Sequence, residues 1–68
     1  MSNEAKRLGK NLKRIRIQKG ISQGDIVRAL KMDWAFVSNI ENGKTNPTLA
    51  TITKLAKTLG VSVSELLK

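Results

Sequence analysis

Cysteine and histidine are both absent from this sequence of 68 residues. The chain therefore has no disulfide, no thiolate zinc site, no cysteine nucleophile and no imidazole base. Its five acidic residues are scattered along the chain, so they predict neither a paired-carboxylate site nor a metal site. We expect no enzymatic activity, no metal and no other cofactor.

Long apolar runs are also missing. No segment approaches the roughly 18 apolar residues that span a bilayer, and the first ten residues lack the hydrophobic segment of a signal peptide. We expect a cytoplasmic protein without a membrane partner or an evident small-molecule ligand. The only aromatic residues are Trp34 and Phe36, so aliphatic side chains must form most of the core. Residues 1–68 are expected to form one small helical domain.

Positive charge is abundant. The formal net charge is +8 and the isoelectric point is near 10.5, which favours a polyanionic partner such as nucleic acid or an anionic membrane surface. A basic, solvated surface with no partner would have the same composition. Many of the basic residues precede Gly20, which makes the first helix the most electropositive element. Composition alone does not distinguish a polyanion-binding surface from a solvated one, so the choice depends on where a binding motif lies relative to the basic residues.

The first helix is predicted over residues 3–19, with Gly20 as its stop signal. Its inward side is predicted to contain Ala5, Leu8, Leu12 and Ile15. Ile17 points to the opposite side, so we expect it to be exposed or covered by another element. Gly9 weakens the helix but permits a close approach of another backbone.

Two short helices follow, joined by a tight turn. Ser22 is the predicted N-cap of a helix over residues 23–30, residues 31–32 form the turn, and Asp33 caps a helix over residues 34–42. The inward side chains are Ile26, Val27 and Leu30 in the first helix and Phe36, Val37 and Ile40 in the second. The outward side chains of the second helix are Ala35, Ser38, Asn39 and Asn42.

Two further helices complete the pattern. Gly43 ends the third helix, Thr48 caps a fourth that stops before Gly60, and residues 62–65 have the sequence of a capping box that opens a fifth. The predicted inward side chains are Leu49, Ile52, Leu55, Ala56 and Leu59, followed by Val63, Leu66 and Leu67. The chain is thus predicted to be all-α, with five helices and no strand.

Helices 2 and 3 meet the requirements of a helix-turn-helix, because the second presents small and amide side chains outward. The whole chain resembles the phage repressor and Cro-like (Xre) helix-turn-helix family. The resemblance rests on residues 14–23 (RIRIQKGISQ), 38–47 (SNIENGKTNP) and 55–67 (LAKTLGVSVSELL). It implies a compact five-helix bundle of the lambda-repressor-like type. It also implies sequence-specific binding of double-stranded DNA by a homodimer, in a bacterium or phage and on the nucleoid when bound.

The same resemblance implies roles for individual positions. Contacts to base edges are expected from Trp34, Ala35, Ser38 and Asn39. Contacts to the DNA backbone are expected from Gln23, Asn42, Lys44, Thr45 and Asn46. A structural ion pair is expected between Arg16 and Glu41. Candidates for the dimer interface, where they remain exposed, are Val61, Val63, Leu66 and Leu67.

Three positions depart from the family pattern. Val27 replaces an alanine that the family favours. Lys31 stands where the turn commonly has glycine, so either the turn is changed or Lys31 accepts a left-handed backbone. Trp34 replaces a polar residue and has three interpretations: it presses on a thymine methyl or a sugar, it folds back onto the protein, or it weakens ordinary recognition. Asn39 is the best base-reading candidate, because its amide can pair bidentately with adenine.

The predicted function is repression at a palindromic operator. Activation, control of a restriction-modification system and antitoxin-type autoregulation stay open. A different class of function is a protein-interaction module of the same fold, in which the Trp34 surface and the basic first helix bind an acidic partner. The outward face of Ser38, Asn39 and Asn42 beside Lys44 suits DNA better than a dry protein interface.

Overall fold

The computed structural model describes residues 3–68 and contains five α-helices in that part of the chain. They are α1 (Asn3–Gln18), α2 (Gln23–Leu30), α3 (Trp34–Glu41), α4 (Leu49–Leu59) and α5 (Val63–Leu67). Residues 3–68 include no strand, so the predicted all-α fold is confirmed. None of these helices combines the length with the hydropathy that a bilayer-spanning segment needs.

One hydrophobic core receives side chains from all five helices. The inward side chains predicted for α1 are all buried: Ala5, Leu8, Leu12 and Ile15. Gly20 ends this helix in a left-handed conformation, with φ of +69°. Ile17 is 58% exposed, as its position opposite the buried side predicts. Helical periodicity was therefore sufficient to orient α1.

Two predictions about buried side chains are wrong. Leu49, the first residue of α4, was expected on the inward side of this helix, but it is 65% exposed. Leu67 was also expected to face inward, but it is 44% exposed. Leu66 is fully buried in the core, as its predicted inward position requires, so it is not among the exposed candidates for the dimer interface. The other two interface candidates, Val61 and Val63, are partly buried against the core.

Side-chain caps hold the starts of the helices. Ser22 and Asp25 form a reciprocal capping box on α2, with each side chain bonded to the backbone N–H of the other. The Ser22 backbone N–H, together with Arg28, lowers the pKa of the Asp25 carboxyl below its ordinary value. Thr48 caps α4 by accepting from the Thr51 N–H. Asp33 occupies the N-cap position of α3 but makes no side-chain capping bond.

The last helix is tied to α1. Ser62 caps α5 by accepting from the Glu65 N–H, while the Glu65 carboxylate pairs with Lys68 Nζ at 3.2 Å. Asn11 Nδ2 donates to the backbone carbonyls of Leu66 at 2.9 Å and Lys68 at 3.0 Å. These bonds hold α5 with Leu66 facing inward, which is why that side chain belongs to the core.

Lys31, in the turn between α2 and α3, has a left-handed backbone with φ of 54° and ψ of 44°. It is the one non-glycine residue with positive φ in residues 3–68. The turn therefore keeps the geometry that glycine normally provides, and Lys31 accepts the strain. That strain amounts to about 1–2 kcal/mol, because the Cβ atom crowds the adjacent carbonyl.

Replacing Lys31 with glycine is expected to raise the free energy of unfolding by up to about 1 kcal/mol. Relief of the left-handed strain outweighs the greater freedom of glycine in the unfolded chain. Urea unfolding of the purified variant measures the change. Lys54→Gly is the matched control, since it removes the same side chain from a right-handed helix and is expected to lose about 1 kcal/mol. Equal losses in the two variants would contradict strain at Lys31.

Candidate nucleic-acid interface

The outward side of α3 carries a short polar stripe. Ala35 and Asn39 of the helix and Asn42, its C-cap residue, are exposed and recur at helical spacing, while Val37 and Ile40 on the other side are fully buried. The buried side can therefore anchor α3 in the core, while the exposed side remains free to contact a ligand.

Ser38 lies beside this stripe and is only partly exposed. Its hydroxyl accepts a hydrogen bond from Asn42 Nδ2 at 3.3 Å. The Ser38 and Asn42 side chains therefore restrain each other. Asn39, which lies between these two residues in the sequence, is more exposed than Ser38. Amides and hydroxyls in this arrangement offer donors and acceptors without a fixed charge, which suits the reading of base edges.

A buried carboxylate joins α3 to α1. Arg16 Nε donates to Glu41 Oε2 at 2.6 Å and Arg16 Nη2 donates to Glu41 Oε1 at 3.1 Å. The two side chains are 12% and 2% exposed. Arg16 Nη1 also donates to the Ile21 carbonyl at 2.9 Å. The pair that the family resemblance implied is thus in bidentate contact, and it also holds the segment that leads into α2.

Gln23 belongs to the same cluster, which the sequence did not indicate. Its Nε2 donates to Glu41 Oε1 at 3.0 Å, so one carboxylate accepts side-chain bonds from α1 and from the start of α2. The side chain that was predicted to contact the DNA backbone is engaged inside the protein. A contact from Gln23 to a ligand would then come from its backbone N–H at the start of α2.

Trp34 lies at the start of α3 and packs on α2. A methyl group at Gly24 would lie only 2.9 Å from Trp34 Cη2 and 3.1 Å from Cζ2, so the indole rests directly on that glycine. The tryptophan is nevertheless 57% exposed. The ring therefore folds back onto the protein, as one interpretation of Trp34 expected, and it still presents a large surface that is available for contact with a thymine methyl or a sugar. Sequence reasoning missed Gly24, although a glycine in the first turn of a helix is a signal of close approach.

The loop after α3 begins with a buried glycine. Gly43 has φ of +71°, and the following Lys44 N–H donates to the Asn39 carbonyl at 2.9 Å. This turn places the predicted backbone-contacting residues 44–46 directly beyond the end of α3, with Lys44 and Asn46 exposed and Thr45 partly buried. The loop therefore continues the polar stripe with a positive charge.

Several known proteins are similar to this chain in sequence or in structure. A family model described as helix-turn-helix matches residues 12–66. The chain is 36% identical to the HTH-type transcriptional regulator DdrOP3 of Deinococcus deserti; the match covers 91% of this chain but 48% of that protein, about half its length. The restriction-modification controller protein C.AhdI of Aeromonas hydrophila is similar in structure, with a TM-score of 0.88 and 31% identity over 96% of this chain and 98% of that one. So is the controller protein C.Esp1396I, solved as a tetramer in complex with its natural 35 base-pair operator, with a TM-score of 0.82 and 28% identity over all of both chains.

Proposed function

This chain belongs to the helix-turn-helix family, and from that premise we propose that residues 1–68 form a domain that binds double-stranded DNA at a specific sequence and regulates transcription. The observation that carries the proposal is the exposed stripe of Ala35, Asn39 and Asn42 on a helix whose other side is anchored by Glu41. A similar protein, C.Esp1396I, was solved on its operator. The role is binding rather than catalysis.

Sequence is read by α3 in the major groove. Asn39 pairs through its amide with adenine N6 and N7, and Ala35 is small enough to meet a thymine methyl. Ser38, steadied by Asn42, is within the same surface and bonds a base or a nearby phosphate. The exposed part of the Trp34 ring lies at the start of this helix, where it contacts a methyl group or a deoxyribose.

The DNA backbone is held on both sides of the reading helix. The Gln23 N–H at the start of α2 points towards one phosphate, assisted by the helix dipole. At the other end, Asn42 and residues 44–46 meet the neighbouring sugar-phosphate backbone, with Lys44 as the charged contact. Such contacts position the protein without reading sequence, so they set the register in which α3 reads.

A homodimer is the proposed functional unit. Two copies would place their reading helices about 34 Å apart, one turn of the duplex, on a site with two-fold symmetry. Exposed Leu67 and partly buried Val61 and Val63 are the apolar side chains that we assign to the interface. Binding at a promoter would then repress transcription by excluding RNA polymerase.

Two substitutions are expected to separate reading from backbone contact. Asn39→Ala should relax the preference at one base pair by about 1–3 kcal/mol, because it removes a bidentate amide. Lys44→Ala should weaken binding to all duplexes about equally, because it removes a phosphate contact. The binding site is first selected from random duplexes, and affinities for single-base variants of it are then compared. An unchanged ranking of these variants with Asn39→Ala would show that another residue is the reader.

A protein-interaction module of the same fold is the alternative, and the exposure of Trp34 is the observation in its favour. The salt dependence of duplex binding separates the two. Specific DNA binding requires a steep loss of affinity with salt and a marked preference for one site over random DNA. A flat dependence without site preference would instead favour an acidic protein as the partner.

A further inference from the structure

We infer that Lys6, at the start of α1, is a further contact to the DNA backbone and extends the surface formed by the loop after α3. This inference rests on the proposed function, but nothing in the sequence distinguished Lys6 from the other basic residues of α1. Three observations single it out: its packing, its charge environment and its distance from its neighbours on the helix.

The packing places Lys6 against the loop. A methyl group at Gly43 would lie 3.0 Å from both Cα and Cγ of Lys6. The first part of the lysine side chain therefore crosses the loop at the residue immediately before Lys44. Gly43 is buried while Lys6 itself is exposed, so the first part of the aliphatic stem covers the glycine and the rest of the side chain stays accessible to solvent.

The charge environment leaves Lys6 and Lys44 without a carboxylate partner. The ion pairs of residues 3–68 join Arg16 with Glu41, Arg28 with Asp25, and Lys68 with Glu65. Glu41 is the acidic residue at the end of α3, and its carboxylate already accepts from Arg16 and Gln23. Gly43 therefore lies between two lysines, with Lys6 packed against it and Lys44 next to it in the chain, and neither belongs to an ion pair of residues 3–68.

The next basic residues in the same row of α1 lie farther along the helix from Lys6, which is the lysine that contacts Gly43. Lys10 and Lys13 follow Lys6 by four and seven positions, so they share roughly its side of the helix. At a rise of 1.5 Å per residue they lie about 6 Å and about 10 Å away along the axis. Lys13 is exposed and belongs to none of the ion pairs above, which makes it a matched control.

The test compares Lys6→Met, Lys44→Met and Lys13→Met on the selected duplex over a range of salt concentrations. Methionine keeps the stem that covers Gly43 and removes the charge. Lys6→Met and Lys44→Met are each expected to reduce the slope of log affinity against log salt by about 0.9. Lys13→Met should leave the slope unchanged, and all three variants should keep the wild-type ranking of sites. Lys6→Arg should restore the slope.

Neutral methylphosphonate linkages then locate the contact. Replacing the phosphate that Lys6 meets should weaken the wild-type protein and leave Lys6→Met unaffected. Lys6→Met that behaves as Lys13→Met overturns the inference while the proposed function stands. Wild-type protein that shows no site preference and no salt dependence overturns the proposed function itself, so the two failures are distinguishable.

Discussion

Replacing Glu41 with alanine is expected to lower the free energy of unfolding by about 3–5 kcal/mol. The carboxylate is 2% exposed and accepts bonds from Arg16 and Gln23. Its removal leaves a guanidinium that is 12% exposed without its counter-charge, together with an amide donor without its acceptor. Because Glu41 is the last residue of α3, the loss also frees this helix from α1 and α2.

Urea unfolding measures this effect, and Glu4→Ala is its control. Glu4 is also an acidic residue but is exposed on α1, so its removal should change stability by no more than about 0.5 kcal/mol. A double-mutant cycle with Arg16→Ala isolates the coupling between the two side chains. Similar small losses for Glu4→Ala and Glu41→Ala would mean that the buried pair does not hold α3 in place.

Replacing Gly9 with alanine is expected to lower the free energy of unfolding by about 1–3 kcal/mol, even though alanine favours the helix. The added methyl group would lie 2.6 Å from the Glu41 carbonyl oxygen and closer still to that of Ile40. Both obstacles are backbone atoms at the end of α3, so no side-chain rotation can relieve them. Helices α1 and α3 must separate, which displaces the residues that follow in the loop.

Gly20→Ala is the matched control for this substitution. A methyl group there meets open space, but the fold holds this residue at a left-handed φ of +69°, which strains alanine. Its cost is about 1–2 kcal/mol from conformation alone. The decisive measurement is DNA affinity at a temperature where both variants are folded: Gly9→Ala should bind more weakly, and Gly20→Ala as wild type. Equal affinity in the two variants would show that α3 tolerates the displacement.

The helices and three of their four predicted side-chain caps were predictable because they depend on residues close in sequence; Asp33 is at the N-cap position of α3 but makes no capping bond. Ser22, Thr48 and Ser62 each bond a backbone N–H three positions ahead, and such a pattern is legible without the fold. The buried side of α1 follows equally from periodicity. Leu49 was misplaced because periodicity gives an angle around the helix axis and does not show where the neighbouring helices end.

The candidate site was only partly predictable. The outward stripe of α3 follows from helical spacing, and the pairing of Arg16 with Glu41 followed from the family resemblance. By contrast, the bond from Gln23 to Glu41, the seating of Trp34 on Gly24 and the crossing of Lys6 over Gly43 join different elements. No local pattern distinguishes these residues from others of the same type.

The segment that forms α2, the turn and α3 illustrates which features the sequence determines and which depend on the tertiary structure. Sequence alone determined that two helices would flank a turn, that Ser22 would cap the first, and which side of each would be apolar, because these properties arise from backbone geometry and spacing within about one helical turn. Only the tertiary structure decided that Lys31 takes a left-handed backbone, that Leu49 is exposed and that the Gln23 side chain faces inward. Those outcomes depend on how closely separate helices approach each other, and that distance is set by the packing of the whole core.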